Sequence, residues 1–392
     1  MDYQEVVEDL YSRGSKGKDP ALSSTEEALE KLGNPEKDYS VIIVGGTNGK
    51  GSVTEMISEG LQSLGCSVGI YKSPHLVSPR ERIKVDGDMI SREEFLEIYR
   101  ELDSLDTSLS FFEFMTAMAY RFFQGKVDYA VMEVGMGGRL DATNAADNDY
   151  AFITNVGLEH TRYLGDTKEE IAEEISGITP QKGSLVTGVE LEPIARKARE
   201  RNTELLEPAK VSEEEDGYNF RGEVFSLPVS GSYQRSNLEK ALKALETIEK
   251  IPDNLDEVFK GLDCAGRMET ISENPLYIQD GAHNPHAIQK IIQDLPEDFI
   301  CVFNAMEHKD IEKMVEPLEE KASKFYLPEA RVPWSARPQK IAGKVSTPSE
   351  IVKDPGRATK EALEEAGDEG AVVVTGSLYL IGNVKEGLDR ET

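Results

Sequence analysis

The 392-residue chain carries 73 acidic against 44 basic residues, a net charge of -29, with 39% hydrophobic and 7% aromatic residues. That charge argues against general nucleic-acid binding, since phosphate backbones would be repelled, and no apolar run approaches the roughly eighteen residues of a membrane span. The acidic opening MDYQEVVEDLYSRG lacks an apolar signal core, and Cys66, Cys264 and Cys301 are too scattered for a disulfide framework or clustered metal site, so a reducing cytoplasm is the expected setting.

The length suggests more than one domain. The acidic excess poses a difficulty for any anion-binding site, and two readings stay open. One is a salt-rich cytoplasm, where the Debye length shrinks to about 3 Å near 1 M salt. The other is an ordinary acidic enzyme with a locally basic pocket.

Helical patterns at 3–12 and 25–32, joined by a loop with Gly and Lys, lead to VIIVGGTNGKGS at 41–52. A β-branched strand empties there into Gly46-Thr47-Asn48-Gly49-Lys50-Gly51-Ser52, and a helical pattern follows over 53–64. Such a turn aims backbone N–H groups and the positive end of a helix at one point, which suits phosphate, with Lys50 reaching the outer phosphates. The strict nucleotide pattern needs Gly and Ser or Thr where this chain has Val44 and Gly51, so the loop is a variant with Ser52 displaced by one. The bland alternative is a strand-to-helix turn with an incidental lysine.

A strand at 67–71 completes a βαβ unit. The turn Ser73-Pro74-His75-Leu76, a strand at 82–85 and helices at 92–102 and 111–123 follow, the last almost wholly apolar and so expected to be buried. Strands at 127–134 and 150–156 each deliver polar residues at their C-terminal ends, Glu133 in the first and Glu159-His160 beyond the second. In an open parallel sheet that edge holds ligands. A helix at 168–175, a strand at 184–187 and a helix at 193–201 come next. Residues 205–230 read as short antiparallel strands, with Glu213-Glu214-Glu215-Asp216-Gly217 an exposed turn. Helices at 233–250 and 255–261 close the first part. From about Gly266 strands at 276–279, 299–303, 324–327 and 372–375 alternate with helices at 285–293 and 311–321, and a final helix ends a second, smaller α/β domain.

GTNGKGS, SPHL at 73–76, EVGMGGRLDATN at 133–144, LEHTRYLGDT at 158–167, AGRMET at 265–270, DGAHNP at 280–285 and TGSLYL at 375–380 stand in one order. That order resembles the folylpolyglutamate synthase and dihydrofolate synthase family, within the Mur ligase superfamily of ATP-dependent amide-forming enzymes. The resemblance covers nearly the whole chain, with 190–230 and 325–370 its weakest stretches. It implies a P-loop-type ATPase domain with a mostly parallel sheet over 1–264 and a smaller Rossmann-like glutamate ligase domain over 265–392.

It further implies ATP as co-substrate, Mg²⁺, L-glutamate and a pterin or folate acceptor, and a monomer. Ser73 and Glu133 would bind metal and His160 a second metal. Arg267 would contact the transferred phosphate, Asp280 the ribose, His283 the phosphates, Gln234 and Asn237 the adenine, and Ser377 the glutamate. Residue by residue, plainer readings stand beside these. Ser73 before Pro74 suits a turn, Glu133 an ion pair with Arg139, and His160 a hydrogen-bonded loop. Asp280 with Asn284 suits a turn and helix cap, and Gln234 with Asn237 a polar helix start. If each domain carries part of the ATP site, closure must precede chemistry, with Arg267 completing the site and water excluded from a reactive acyl phosphate.

The chain departs from the family at Ile175, fifteen residues after His160, where a carbamylated lysine is expected to ligate the second metal. Glu173 or Glu174 could substitute, fewer protein groups could hold the ion, or the site is impaired. Thr179 replaces another lysine, and Ile43, Glu159 and Tyr233 are smaller changes. The expected activity is ligation of L-glutamate to dihydropteroate, to folates, or both, through an acyl phosphate. The alternatives are a Mur-type ligase for another coenzyme pterin or amino acid, and a nucleotide-binding protein that has lost catalysis.

Overall fold

The computed structural model describes residues 1–14, 22–215, 217–229, 231–263 and 265–389, which form two compact units. Cys264, Asp216 and most of the Gly- and Lys-containing loop lie outside the described residues. The first unit gathers Met1–Pro74, Pro79–Leu227 and Arg235–Leu262. The second takes the chain from Asp263 together with His75–Ser78 and Pro228–Gln234. Those two short segments lie inside the stretch that a linear reading assigns to the first domain. Packing explains them, because Leu76 and Tyr233 each lie against apolar clusters of the second unit.

In the first unit, β1 (Ser40–Gly45), β2 (Val68–Tyr71), β3 (Ile83–Val85), β4 (Asp88–Met89), β5 (Tyr129–Glu133), β6 (Tyr150–Ile153), β7 (Ser184–Thr187) and β8 (Glu204–Leu206) form one sheet. Its order is β4-β3-β2-β5-β1-β6-β7-β8. The six strands from β2 to β8 run parallel, and β3 and β4 add an antiparallel edge. A parallel sheet must be covered on both faces, which is why its strands read as unbroken apolar runs. The helix Phe111–Phe123 is closed at its start by a reciprocal Ser110–Glu113 cap and buries most of its length. A Cβ at Gly69 would meet the Phe123 ring at 2.7 Å, so the glycine lets this helix lie close on β2. Each fully buried ring such as Phe114 or Phe123 contributes roughly 1.5–3 kcal/mol.

Between 205 and 230 the expectation of antiparallel strands needs correction at its start. Leu205 and Leu206 pair in parallel with Leu185 and Val186, so β8 extends the main sheet. Only β9 (Ser212–Glu214), β10 (Gly217–Phe220) and β11 (Glu223–Phe225) form an antiparallel sheet. Glu213 and Glu214 are exposed as expected, but they belong to β9 and not to a turn.

The second unit has a six-stranded sheet made of β12 (Glu269–Glu273), β13 (Leu276–Asp280), β14 (Phe299–Phe303), β15 (Ala322–Tyr326), β16 (Ser349–Glu350) and β17 (Ala371–Thr375), ordered β12-β13-β17-β14-β15-β16. All but β12 are parallel. One face packs on Ile288, Met314 and Leu318, the other on Ala358, Leu380 and Val384. Sequence periodicity did not reveal β12, whose ETISE is largely exposed and pairs only with β13, nor the helix Pro355–Ala366.

Candidate active site

β1 runs between β5 and β6 and ends at Gly45, delivering the chain to Gly46 at the C-terminal edge of the first unit's sheet. Gly46 has φ +128 and Gly49 φ +83, and Gly49 caps a helix that starts at Lys50. The helix therefore begins earlier than residue 53, with Lys50, Gly51 and Ser52 as its first turn. The N–H groups of that turn have no acceptors within the helix and point out of its positive end.

The loop is clamped by residues that the motif reading passed over. Thr154 Oγ1 donates to Asn48 O (2.7 Å) and Asn155 Nδ2 donates to the same carbonyl (2.8 Å), while Asn48 N–H donates to Asn155 Oδ1 (3.0 Å). Gly157 N–H donates to Thr47 Oγ1 at 2.9 Å. A Cβ at Gly46 would stand 2.1 Å from Thr154 Oγ1, and one at Gly49 2.4 Å from Asn237 Oδ1, so only glycine fits at either place. Asn237, expected to read adenine, thus lies directly against the loop. Gln234 opens the same helix, Gln234–Ile248, and is buried. Lys50 Nζ folds back to donate to Gly46 O (2.9 Å) and Thr47 O (3.1 Å).

The register places Glu133 opposite Val44, two residues before the loop's first glycine, Gly46. Its side chain is 3% exposed, and its carboxylate accepts from Ser73 N–H at 2.9 Å. The alternative ion pair with Arg139 is not formed. Arg139 instead makes two hydrogen bonds to Glu174, at 2.9 and 3.1 Å. A buried carboxylate with a neighbouring hydroxyl beside a phosphate loop suits a hard divalent cation, whose remaining positions phosphates and waters fill. The loop beyond is held by buried Asp141, which accepts from Gly135, Met136 and Thr143 N–H groups. Burial pushes its carboxyl above the usual range despite those bonds.

The second-metal residues are arranged differently. His160, at φ +51, precedes the short helix Thr161–Leu164, with Nε2 3.9 Å from Glu159 Oε1. Ile175 is 2% exposed inside the apolar core. The two carboxylates that the sequence offers as substitute ligands are in ion pairs, Glu174 with Arg139 and Glu173 with Arg196. Thr179 is buried and donates to Ser176 O. Among the described residues no group of three or more His, Cys, Asp or Glu is disposed to hold a metal ion.

In the second unit, Asp280 ends β13 and is 3% exposed. It accepts from Ala282 N–H and Met268 N–H, both at 2.8 Å, and from Tyr233 OH at 3.4 Å. Those bonds fix the turn carrying Arg267, and only the lone pairs they leave could meet a ribose. Burial raises the Asp280 carboxyl, and the charge of Arg267 opposes that rise. A Cβ at Gly281 would lie 3.2 Å from Arg267 Nη1, so the guanidinium passes across the DGAHNP loop. His283 Nδ1 sits 2.9 Å from Gly281 O, and Asn284 caps the helix Pro285–Ile291, as its plainer reading held. Ser377 is 2% exposed and accepts from Tyr379 N–H at 3.1 Å. The Tyr379 ring meets both His75 and Trp334 edge-on, at centroid distances of 6.2 and 5.9 Å.

Residues 44–244 match the Mur ligase middle domain and residues 266–378 the Mur ligase glutamate ligase domain. The dihydrofolate synthase/folylpolyglutamate synthase of Bacillus subtilis is 31% identical over 98% of this chain and 99% of its own length. A probable bifunctional folylpolyglutamate synthase/dihydropteroate synthase of Haloferax volcanii is 32% identical over 98% of this chain, which spans only 50% of that protein. Among solved structures, E. coli FolC in complex with DHPP and ADP superimposes with a TM-score of 0.92 at 28% identity, covering 100% of this chain and 98% of that one. The bifunctional enzyme with Mn, AMPPNP and L-glutamate bound gives 0.84 at 29% identity, covering 96% of each.

Proposed function

Because the chain belongs to the folylpolyglutamate synthase/dihydrofolate synthase family of Mur ligases, we propose that it joins L-glutamate to a pterin-bearing carboxylate at the expense of ATP. The acceptor is dihydropteroate, a folate, or both. A carboxylate oxygen of the acceptor attacks the γ-phosphorus and ADP leaves. The glutamate amine then attacks the acyl carbon, phosphate departs and an amide remains. The crowded negative charge is the main obstacle, and fixed cations and aimed N–H groups stabilise it most. Lys50 and the first-turn amides hold the phosphates, with Asn237 at the adenine side of the loop. Arg267 meets the transferred group, with Asp280 positioning its turn and His283 beside the phosphates. Ser377 takes part in binding glutamate.

The residues present fit one divalent cation, for which we read Mg²⁺. Ser73 and Glu133 would hold it, and when bound it offsets phosphate charge. The observation that carries the reading is the register that sets buried Glu133 beside Val44 at the mouth of a loop on which Lys50 is already folded. A cytoplasmic monomer is part of the reading, and so is a salt-rich setting for its acidic surface. Activity that fell steadily toward molar KCl would remove that last part.

The direct test is ADP release with and without glutamate, comparing dihydropteroate with tetrahydrofolate. Glutamate-dependent release with either acceptor is expected. ATP binding with no glutamate-dependent turnover, at low and high salt, would instead favour a nucleotide-binding protein without catalysis, the second reading that Ile175 motivates.

A further inference from the structure

The segment that follows His160 is built as packing. Ile175 belongs to the same apolar cluster as Ile171, Ala172 and Ile178. A Cβ at Gly45 would stand 2.6 Å from Ile178 Cδ1 and 3.9 Å from Ile175 Cγ2, so these side chains fill the space behind the residue where β1 passes into the phosphate loop. The backbone is equally close, since a Cβ at Gly177 would reach Arg139 Cα at 2.3 Å and one at Gly138 would reach Ile175 O at 2.9 Å. Asn144 Nδ2 bridges the two loops by donating to Arg139 O and Gly177 O, at 3.3 and 3.2 Å. The carboxylates on either side of this plug are engaged elsewhere, Glu174 with Arg139 and Glu173 with Arg196. Placing a charged ligand here would require taking it out of water among aliphatic side chains. By contrast Glu133 and Ser73 already stand at the loop's mouth, where the nucleotide itself supplies the missing oxygens.

We infer that this chain carries out its ligation with one divalent cation, the nucleotide-bound ion at Ser73 and Glu133, and that the position for a second is closed by the apolar packing of Ile175 and Ile178. The inference rests on the ligase reading above. With one cation fewer, more of the phosphate charge falls on fixed groups such as Lys50.

The test counts metal ions directly. Mn²⁺ is titrated into the full-length protein with the non-hydrolysable β,γ-imido analogue of ATP, and unbound Mn²⁺ is read by electron paramagnetic resonance. One Mn²⁺ per chain, bound only with nucleotide, is expected. E173Q and E174Q should leave that count unchanged, while E133Q weakens the single ion on the order of tenfold or more. At saturating Mg-ATP, further free Mg²⁺ should not raise the rate. Two Mn²⁺ per chain, a loss of bound Mn²⁺ in E174Q, or a several-fold activation by free Mg²⁺ would overturn the inference and leave the ligase reading standing. Absence of any nucleotide-dependent Mn²⁺ would overturn both.

Discussion

Gly45 has two kinds of neighbour. Ahead of it lies a loop whose Thr47 hydroxyl and Asn48 backbone are held from beyond the neighbouring strand β6, by the Thr154 and Asn155 side chains and the Gly157 N–H. Behind it lies Ile178, with Ile175 beside it, apolar and buried. One side is fixed by direction-dependent hydrogen bonds and the other by volume. A site that must hold phosphate within a fraction of an ångström needs the first kind of order. Packing can supply the backing wall.

The largest effect expected from breaking that contrast is at the loop. K50A removes the side-chain cation folded onto its Gly46 and Thr47 carbonyls, and kcat/KM should fall by roughly 10³ with little change in thermal stability. Equal losses in both quantities would mean that Lys50 is structural. On the other side, I175A leaves a cavity against Gly45 and should lower unfolding free energy by about 2–4 kcal/mol in a denaturant titration. A change much under 1 kcal/mol would show that the apolar wall is loosely packed and weaken the contrast.

Lys240 sharpens the same question one turn beyond Asn237. It is 4% exposed, donates to Ser236 O and Oγ, and desolvation pulls its ammonium down to about 8. The unfolded chain therefore binds more protons than the folded one between pH 8 and the ordinary lysine value, and stability rises with pH through that window. K240M should be more stable than the parent at pH 7 by about 2 kcal/mol, an advantage that shrinks as pH climbs past 8 toward the unfolded lysine value. A pH-independent difference would exclude the buried ammonium as its cause. The smallest effect is expected of N155A, which removes the two hydrogen bonds between Asn155 and Asn48 and leaves that of Thr154 in place. A rise of about tenfold in KM for ATP with kcat nearly kept would fit loss of loop positioning worth roughly 1–1.5 kcal/mol.

How far sequence carries can be seen in the same residues. The strand, the glycine turn and Lys50 are local, so periodicity and spacing located them, and Glu133 was marked by a carboxylate ending an apolar run. Thr154 and Asn155 were equally visible as polar residues closing YAFI, but their role depends on β6 lying next to β1, which no local pattern states. Asp141 is similar, since its importance comes from three backbone donors converging on it. Periodicity gives no sign that His75–Ser78 and Pro228–Gln234 cluster with the second unit, because membership of a unit is decided by what a side chain touches. The Ile175 substitution was legible as a missing ligand. That its space is filled, with both neighbouring glutamates committed to arginines, was legible only in three dimensions.

Trp334 is the chain's one tryptophan, 40% exposed and edge-on to the Tyr379 ring two residues after Ser377. The unit that carries the phosphate loop has none. Indole emission excited at the red edge of protein absorbance therefore originates wholly in the second unit. An unlabelled sample can thus report optically on changes around Tyr379 and the loop that carries Trp334, with no emission from the unit that holds Lys50.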